Sequence, residues 1–113
     1  MQHGSSLPTV TDPEIPALLT ADSGYVALEF GAAWCAPCRV MAPVVEAFAR
    51  EVPTVRALQI DSDANPTTTV RYGVRGLPTL LLFRDGELLE RVTGAIPLSQ
   101  LRARLAPHLA AVR

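Results

Sequence analysis

Apolar and polar positions along the chain change their period several times, and each change marks an element. Tyr25 to Phe30 is a nearly continuous apolar run between Gly24 and Gly31, the pattern of a buried strand. Val55 to Asp61 reads as a second strand. Between them, Met41, Val44, Val45, Phe48 and Val52 fall at i, i+3, i+4, i+7 and i+11, which predicts a helix with one apolar face. Pro43 inside that stretch predicts a kink, because it removes one backbone donor, and Pro53 ends the segment. Thr79 to Arg84 and Glu87 to Thr93 are strands joined by Asp85-Gly86, a tight-hairpin signal. Leu98, Leu101, Leu105, Leu109 and Val112 mark a terminal helix that Pro107 is expected to kink or shorten.

Two shorter helices complete the pattern. Asp12-Pro13-Glu14 offers a capping Asp followed by Pro at the first helical position, opening a helix to about Thr20. Asn65-Pro66 opens another to about Tyr72, across three threonines of modest helix propensity. Residues 1–11 show no period and read as a flexible tail, leaving residues 12–113 as a single domain. Helix and strand alternate before the hairpin, which suggests a parallel βαβ unit extended by an antiparallel pair. The expected fold class is α/β: a central mixed β-sheet flanked by α-helices on both faces.

Composition narrows the function classes. With 113 residues, 49% hydrophobic and 19% charged, the chain is neither disordered nor fibrous. A chain of this length buries roughly 65% of its unfolded surface, enough for one core. Ten arginines, no lysine and eleven acids leave a net charge of −1. The arginines are scattered, which argues against nucleic acid as a partner. The apolar stretch around Leu80 to Phe83 is far too short to span a bilayer, so no membrane association is expected. Met1 to Pro8 lacks a basic segment followed by an apolar one, so the expected location is cytoplasmic.

The sharpest feature is Trp34-Cys35-Ala36-Pro37-Cys38, set between the first buried strand and the long helix. Cys35 falls at the helix start, where unpaired N–H groups and the helix dipole favour an anion. A thiolate is such an anion, so Cys35 is expected to be the more exposed thiol, facing solvent, with a pKa below the free value of about 8.5. Cys38 lies one turn later, near enough to form a disulfide. A bridge closing so short a loop would stabilise the fold by only about 2 kcal/mol, so a purely structural role is the weaker reading. Zinc would need His3 and His108, both near the termini, and covalent haem would need His where Arg39 stands; no metal is expected. A buried packing pair is the remaining alternative. Strand-to-helix placement favours reversible redox chemistry.

From about Val26 to Leu109 the chain resembles the thioredoxin family. The likeness is carried by the Trp-Cys-x-Pro-Cys core, Pro43, Gln59-Ile60-Asp61, Tyr72-Gly73-Val74-Arg75-Gly76-Leu77-Pro78-Thr79, Phe83, Asp85-Gly86 and Gly94. The resemblance implies the thioredoxin fold, with Pro78 in a cis bond facing the cysteines, and protein disulfide reductase activity. Cys35 would attack a client disulfide and Cys38 would resolve the mixed disulfide. Trp34, Ala36, Pro37, Gly76, Leu77, Pro78 and Gly94 would border a shallow groove for an extended client segment. It further implies a monomer with no bound cofactor, using a redox-active Cys35–Cys38 disulfide. Its partners would be disulfide-containing client proteins and a separate NADPH-dependent thioredoxin reductase that supplies the electrons.

Three departures stand out. Ala36 occupies a position where the family usually has Gly, which bears on redox poise. Glu29 takes the place of the family's buried Asp, and Ala57 is aligned with a Lys that commonly neighbours it. Without the family, Glu29 is notable as an acid inside the run Val26, Ala27, Leu28, Phe30. Burial would raise its pKa, and a neutral carboxyl near Cys38 could exchange the proton of the second step. Glu29 therefore joins Cys35 and Cys38 as a candidate catalytic residue. Asp61, Asp63, Arg102 and Arg104 read as surface charges. The rival functions are an exported disulfide oxidase or isomerase of the same fold, and a non-catalytic binding module.

Overall fold

The computed structural model describes residues 6–109. Its elements follow in the order β1 (Thr9–Val10), a 3₁₀ turn (Asp12–Glu14), α1 (Ile15–Leu18), β2 (Tyr25–Gly31), α2 (Ala36–Glu51), β3 (Val55–Asp61), α3 (Pro66–Arg71), β4 (Thr79–Arg84), β5 (Glu87–Thr93) and α4 (Leu98–Leu109). The strands form one mixed sheet in the order β1-β3-β2-β4-β5. β3 runs parallel to β1 and β2, and β4 runs antiparallel to β2 and β5.

Central position explains why β2 is apolar at nearly every residue. All seven of its residues are buried, so neither face can be left polar without cost. One face of the sheet carries Tyr25 and Ala27 against Met41, Val45 and Phe48 of α2 and Leu101 and Leu105 of α4. The other carries Val26, Leu28 and Phe30 against Ile15 of α1 and Val74 beyond α3. Fully burying a side chain such as Leu28 or Phe30 contributes about 1.5–3 kcal/mol. α2 and α4 run unbroken through Pro43 and Pro107, both exposed, so neither proline ends its helix. Val112 lies outside the described residues. The β4–β5 turn has Asp85 at φ +50° and Gly86 at φ +82°, and a Cβ on Gly86 would come within 3.0 Å of the Leu19 carbonyl oxygen. Glycine is required there on both counts.

The expected tail needs correction. Residues 6–11 enter the fold: Thr9 and Val10 pair with Gln59 and Ile60, and Leu7 and Val10 are buried. A two-residue edge strand is too short to show any period, and its pairing is set by β3. The first helix also starts differently. Thr11 is its N-cap, and the Glu14 carboxylate accepts from the Thr11 N–H at 2.8 Å and the Thr11 hydroxyl at 3.0 Å. Only Ile15 to Leu18 is α-helical.

Asp12 instead caps α3 from across the fold. Its carboxylate accepts from Thr67 N–H at 3.1 Å, Thr68 N–H at 2.9 Å and the Thr68 hydroxyl at 2.6 Å. In return, the Asp12 N–H donates to Asn65 Oδ1 at 2.7 Å. Burial pushes the Asp12 pKa up, but these hydrogen bonds outweigh it and hold the carboxyl below its ordinary value. Asp12→Ala should therefore cost about 1 kcal/mol in urea unfolding at neutral pH. A depressed folded pKa stabilises above the unfolded pKa of about 3.9 and is lost as pH falls through the folded value. The difference between wild type and Asp12→Ala should shrink in acid; a constant difference down to about pH 2 would refute this charge-assisted cap.

Candidate active site

Parallel pairing of β2 with β3 brings the C-terminal ends of both strands to the same edge of the sheet. The segment after β2 carries Trp34 and the cysteines; the segment after β3 carries Asp63. Cys35 is the N-cap of α2, with φ −90° and ψ 103°, and Cys38 lies in the first turn. The two are joined in a disulfide with a Cα–Cα distance of 5.3 Å. No acidic residue occupies the first turn of α2, so nothing there opposes a thiolate at the helix start. Backbone bonds fix the loop: Cys35 N–H donates to the Ala32 carbonyl and Cys38 N–H to the Cys35 carbonyl. The Arg39 guanidinium donates to the Ala33 carbonyl at 2.7 Å.

The expectation of a solvent-facing Cys35 is corrected for this disulfide state, in which Cys35 is 3% and Cys38 0% exposed. Both sulfurs pack with Ala32 and Leu77. Ala36 and Pro37 are exposed beside them. Trp34 is 68% exposed, and its indole N–H donates to Asp63 Oδ2 at 2.6 Å. Asp63, read from sequence as an ordinary surface charge, is therefore tied to Trp34 beside the cysteines. Its signal was positional: it lies two residues beyond a strand parallel to the one that leads to the cysteines.

Leu77 comes from the loop between α3 and β4, where the Leu77–Pro78 bond is cis. Pro78 is buried, and its carbonyl accepts from Gly94 N–H at 2.8 Å. The Thr79 hydroxyl donates to the Gly76 carbonyl at 2.6 Å. A Cβ on Gly76 would meet Thr93 Cγ2 at 3.4 Å. These contacts hold Gly76, Leu77, Pro78 and Gly94 as one border, joined to the cysteines through Leu77. His108 is remote from them and lies 3.7 Å from Glu90, while His3 falls outside the described residues. Among the described residues no group of three or more His, Cys, Asp or Glu could hold a metal ion.

Glu29 is fully buried. Alternation along β2 places it with Tyr25 and Ala27 on the face covered by α2, the helix that carries Cys38. Burial alone raises its pKa from 4.5 to about 8. Ala57 pairs with Ala27, two residues along β3 on the same face, and the residue in register with Glu29 is Gln59. An uncharged amide stands there.

A strand-to-helix cysteine pair under a cis-proline loop, on a mixed sheet of this order, defines a thiol–disulfide oxidoreductase on a thioredoxin fold. A family model described as Thioredoxin matches residues 7–107. The chain belongs to the thioredoxin family. It is 37% identical over 105 residues to thioredoxin of Porphyra purpurea, covering 92% of this chain and 98% of that protein. It is 38% identical over 101 residues to thioredoxin 1 of Synechococcus elongatus, covering 88% and 94%. The X-ray structure of Fasciola hepatica thioredoxin matches with a TM-score of 0.80 at 31% identity, covering 90% of this chain and 99% of that one. The chain is accordingly a protein disulfide reductase working by dithiol–disulfide exchange, and its redox centre is the cysteine pair without a prosthetic group.

The buried acid has a measurable cost. Its folded pKa, about 8, lies above the ordinary value of 4.5, so the folded state binds the proton more tightly. Its contribution is fully present below the unfolded pKa and is lost as pH rises through the folded one. Glu29→Gln should therefore stabilise the fold by on the order of 2–3 kcal/mol near neutral pH, and by little in mild acid. A stability difference that stays the same from about pH 4 to 9 in urea titrations would show that the carboxyl does not titrate across this range.

Proposed function

We propose that Cys35 is the attacking thiol and Cys38 the resolving thiol. The carrying observation is the placement of Cys35 at the N-cap of α2 with Cys38 shielded one turn inside. The Cys35 thiolate attacks one sulfur of a client disulfide, forming a mixed disulfide and releasing the other client sulfur as thiolate. Cys38 loses its proton and attacks Cys35 Sγ, expelling the second client thiolate and closing the Cys35–Cys38 bridge. The client gains two electrons, and two protons complete its thiols. In its carboxylate form, Glu29 accepts the Cys38 proton, directly or through a water. A pKa near 8 suits that exchange around neutral pH.

The client lies extended against the border formed by Gly76, Leu77, Pro78 and Gly94. Trp34, Ala36 and Pro37 form the opposite wall. Backbone groups of the loop before Pro78 pair with the client chain by strand addition. The partners are disulfide-bearing proteins and an NADPH-dependent thioredoxin reductase that reopens the bridge. The chain acts as a monomer in the cytoplasm; among the described residues no helix is long and apolar enough to cross a membrane.

Reduction of insulin disulfides by the recombinant chain with a reductase system tests the activity. Cys38→Ser should accumulate mixed disulfides with clients, whereas Cys35→Ser should accumulate none. If the outcomes are reversed, so that only Cys35→Ser traps clients, the division of roles is wrong.

A further inference from the structure

One row of side chains crosses the sheet at the level of the buried acid. The registers Thr9↔Gln59, Gln59↔Glu29, Glu29↔Leu80 and Leu80↔Val92 place it on the face covered by α2 and α4. Its first three members are polar and its last two apolar. Gln59 is 2% exposed. Its Nε2 is committed toward the edge strand, donating to the Leu7 carbonyl at 2.8 Å and to Thr9 Oγ1 at 3.1 Å. Its Oε1 is buried, and no N–H or O–H among the described residues donates to it. A buried amide oxygen needs a donor. The in-register neighbour on the other side is Glu29, whose carboxyl becomes a donor when protonated.

We infer that Gln59 is a positioning residue for Glu29: its Oε1 receives the hydrogen bond of the protonated Glu29 carboxyl, while its Nε2 anchors the pair to the N-terminal segment. The amide has both Nε2 hydrogens engaged elsewhere, so it offers Glu29 an acceptor and never a donor. It therefore favours the neutral acid and disfavours the carboxylate, adding to the effect of burial. The N-terminal segment thereby sets the proton affinity of the acid, although it touches neither cysteine.

Among the described residues no other group donates to Gln59 Oε1. From β4 the neighbour is Leu80, and α2 packs Met41 and Val45 on this face. α4 presents Leu101 and Leu105. Asp61 ends β3 opposite Gly31, one step along the same face. Tyr25 lies at the far end, its hydroxyl donating to the His108 carbonyl, with Arg84 over its ring. Glu90 is held there by Arg104 and His108. On α2, Arg39 donates to the Ala33 carbonyl, Glu46 accepts from Ser6, and Arg50 pairs with Glu46.

The inference rests on reading Glu29 as the acid that serves Cys38, and two measurements separate them. Carbon NMR of the unmodified oxidised protein should show the side-chain carbonyl carbons of Glu29 and Gln59 titrating with one midpoint, as the amide loses its donor. A Gln59 carbon that stays flat while Glu29 titrates overturns the inference. In Gln59→Met the Glu29 midpoint should fall by on the order of half to one pH unit, because the neutral acid loses its acceptor. A thioether that only dried the site would raise the midpoint. An unchanged or raised midpoint therefore overturns it too. The pH profile of Cys38 attack on a mixed disulfide should move down with the midpoint. A lowered midpoint with an unmoved rate profile would uphold the Gln59 hydrogen bond and remove the role of Glu29 in that step.

Discussion

The parallel pairing of β2 with β3 is the constraint on which the rest of the site depends. Because the two strands run the same way, the segment holding Trp34 and the cysteines and the segment holding Asp63 leave the sheet at one edge. The indole-to-carboxylate bond between them follows from that arrangement. The same pairing fixes which residue lies beside Glu29, since a parallel register sets side chains of equal level on one face. A slip of one residue would turn Glu29 to the face of Leu28 and Phe30, away from α2 and Cys38.

Stability and chemistry pull against each other at this strand. An acid in a fully buried strand destabilises the fold at neutral pH, and an apolar residue there would pack without that cost. Yet shielding Cys38 from water also removes the solvent that would otherwise take its proton. A carboxyl raised toward neutrality by the same burial can exchange that proton. Thus one physical cause, exclusion of water beneath α2, accounts for both the cost and the proposed use of Glu29. Similar logic applies at the helix start: the dipole that favours a Cys35 thiolate belongs to the same helix that carries the shielded Cys38.

Much of this architecture was legible in local patterns. The buried runs Val26–Phe30 and Leu80–Phe83, the apolar stripe from Met41 to Val52, and the Asp85-Gly86 turn each record a constraint acting over a few residues. Trp34-Cys35-Ala36-Pro37-Cys38 and the Leu77–Pro78 loop were legible because their chemistry requires particular residue types. The misses share a physical origin in contacts between segments far apart in the chain. Thr9 and Val10 are strand residues only because β3 offers them an edge. Asp12 carries a local capping signal but is drawn to stronger donors at the start of α3. Asp63 looks like any loop acid until the neighbouring loop brings Trp34 to it. Gln59 lies beside Glu29 by register, which no local pattern in either strand reveals.

The fold and the cysteine pair are shared by reductases and by oxidising relatives, and what divides them is the stability of the bridge relative to the dithiol. Equilibrating the protein in dithiol–disulfide buffers of graded ratio, and quantifying the oxidised fraction, reads that balance directly. A reductase should give a potential near the value of about −270 mV found for thioredoxin. A potential near about −180 mV or higher, in the range of isomerases and oxidases, would contradict the assignment of this chain as a disulfide reductase.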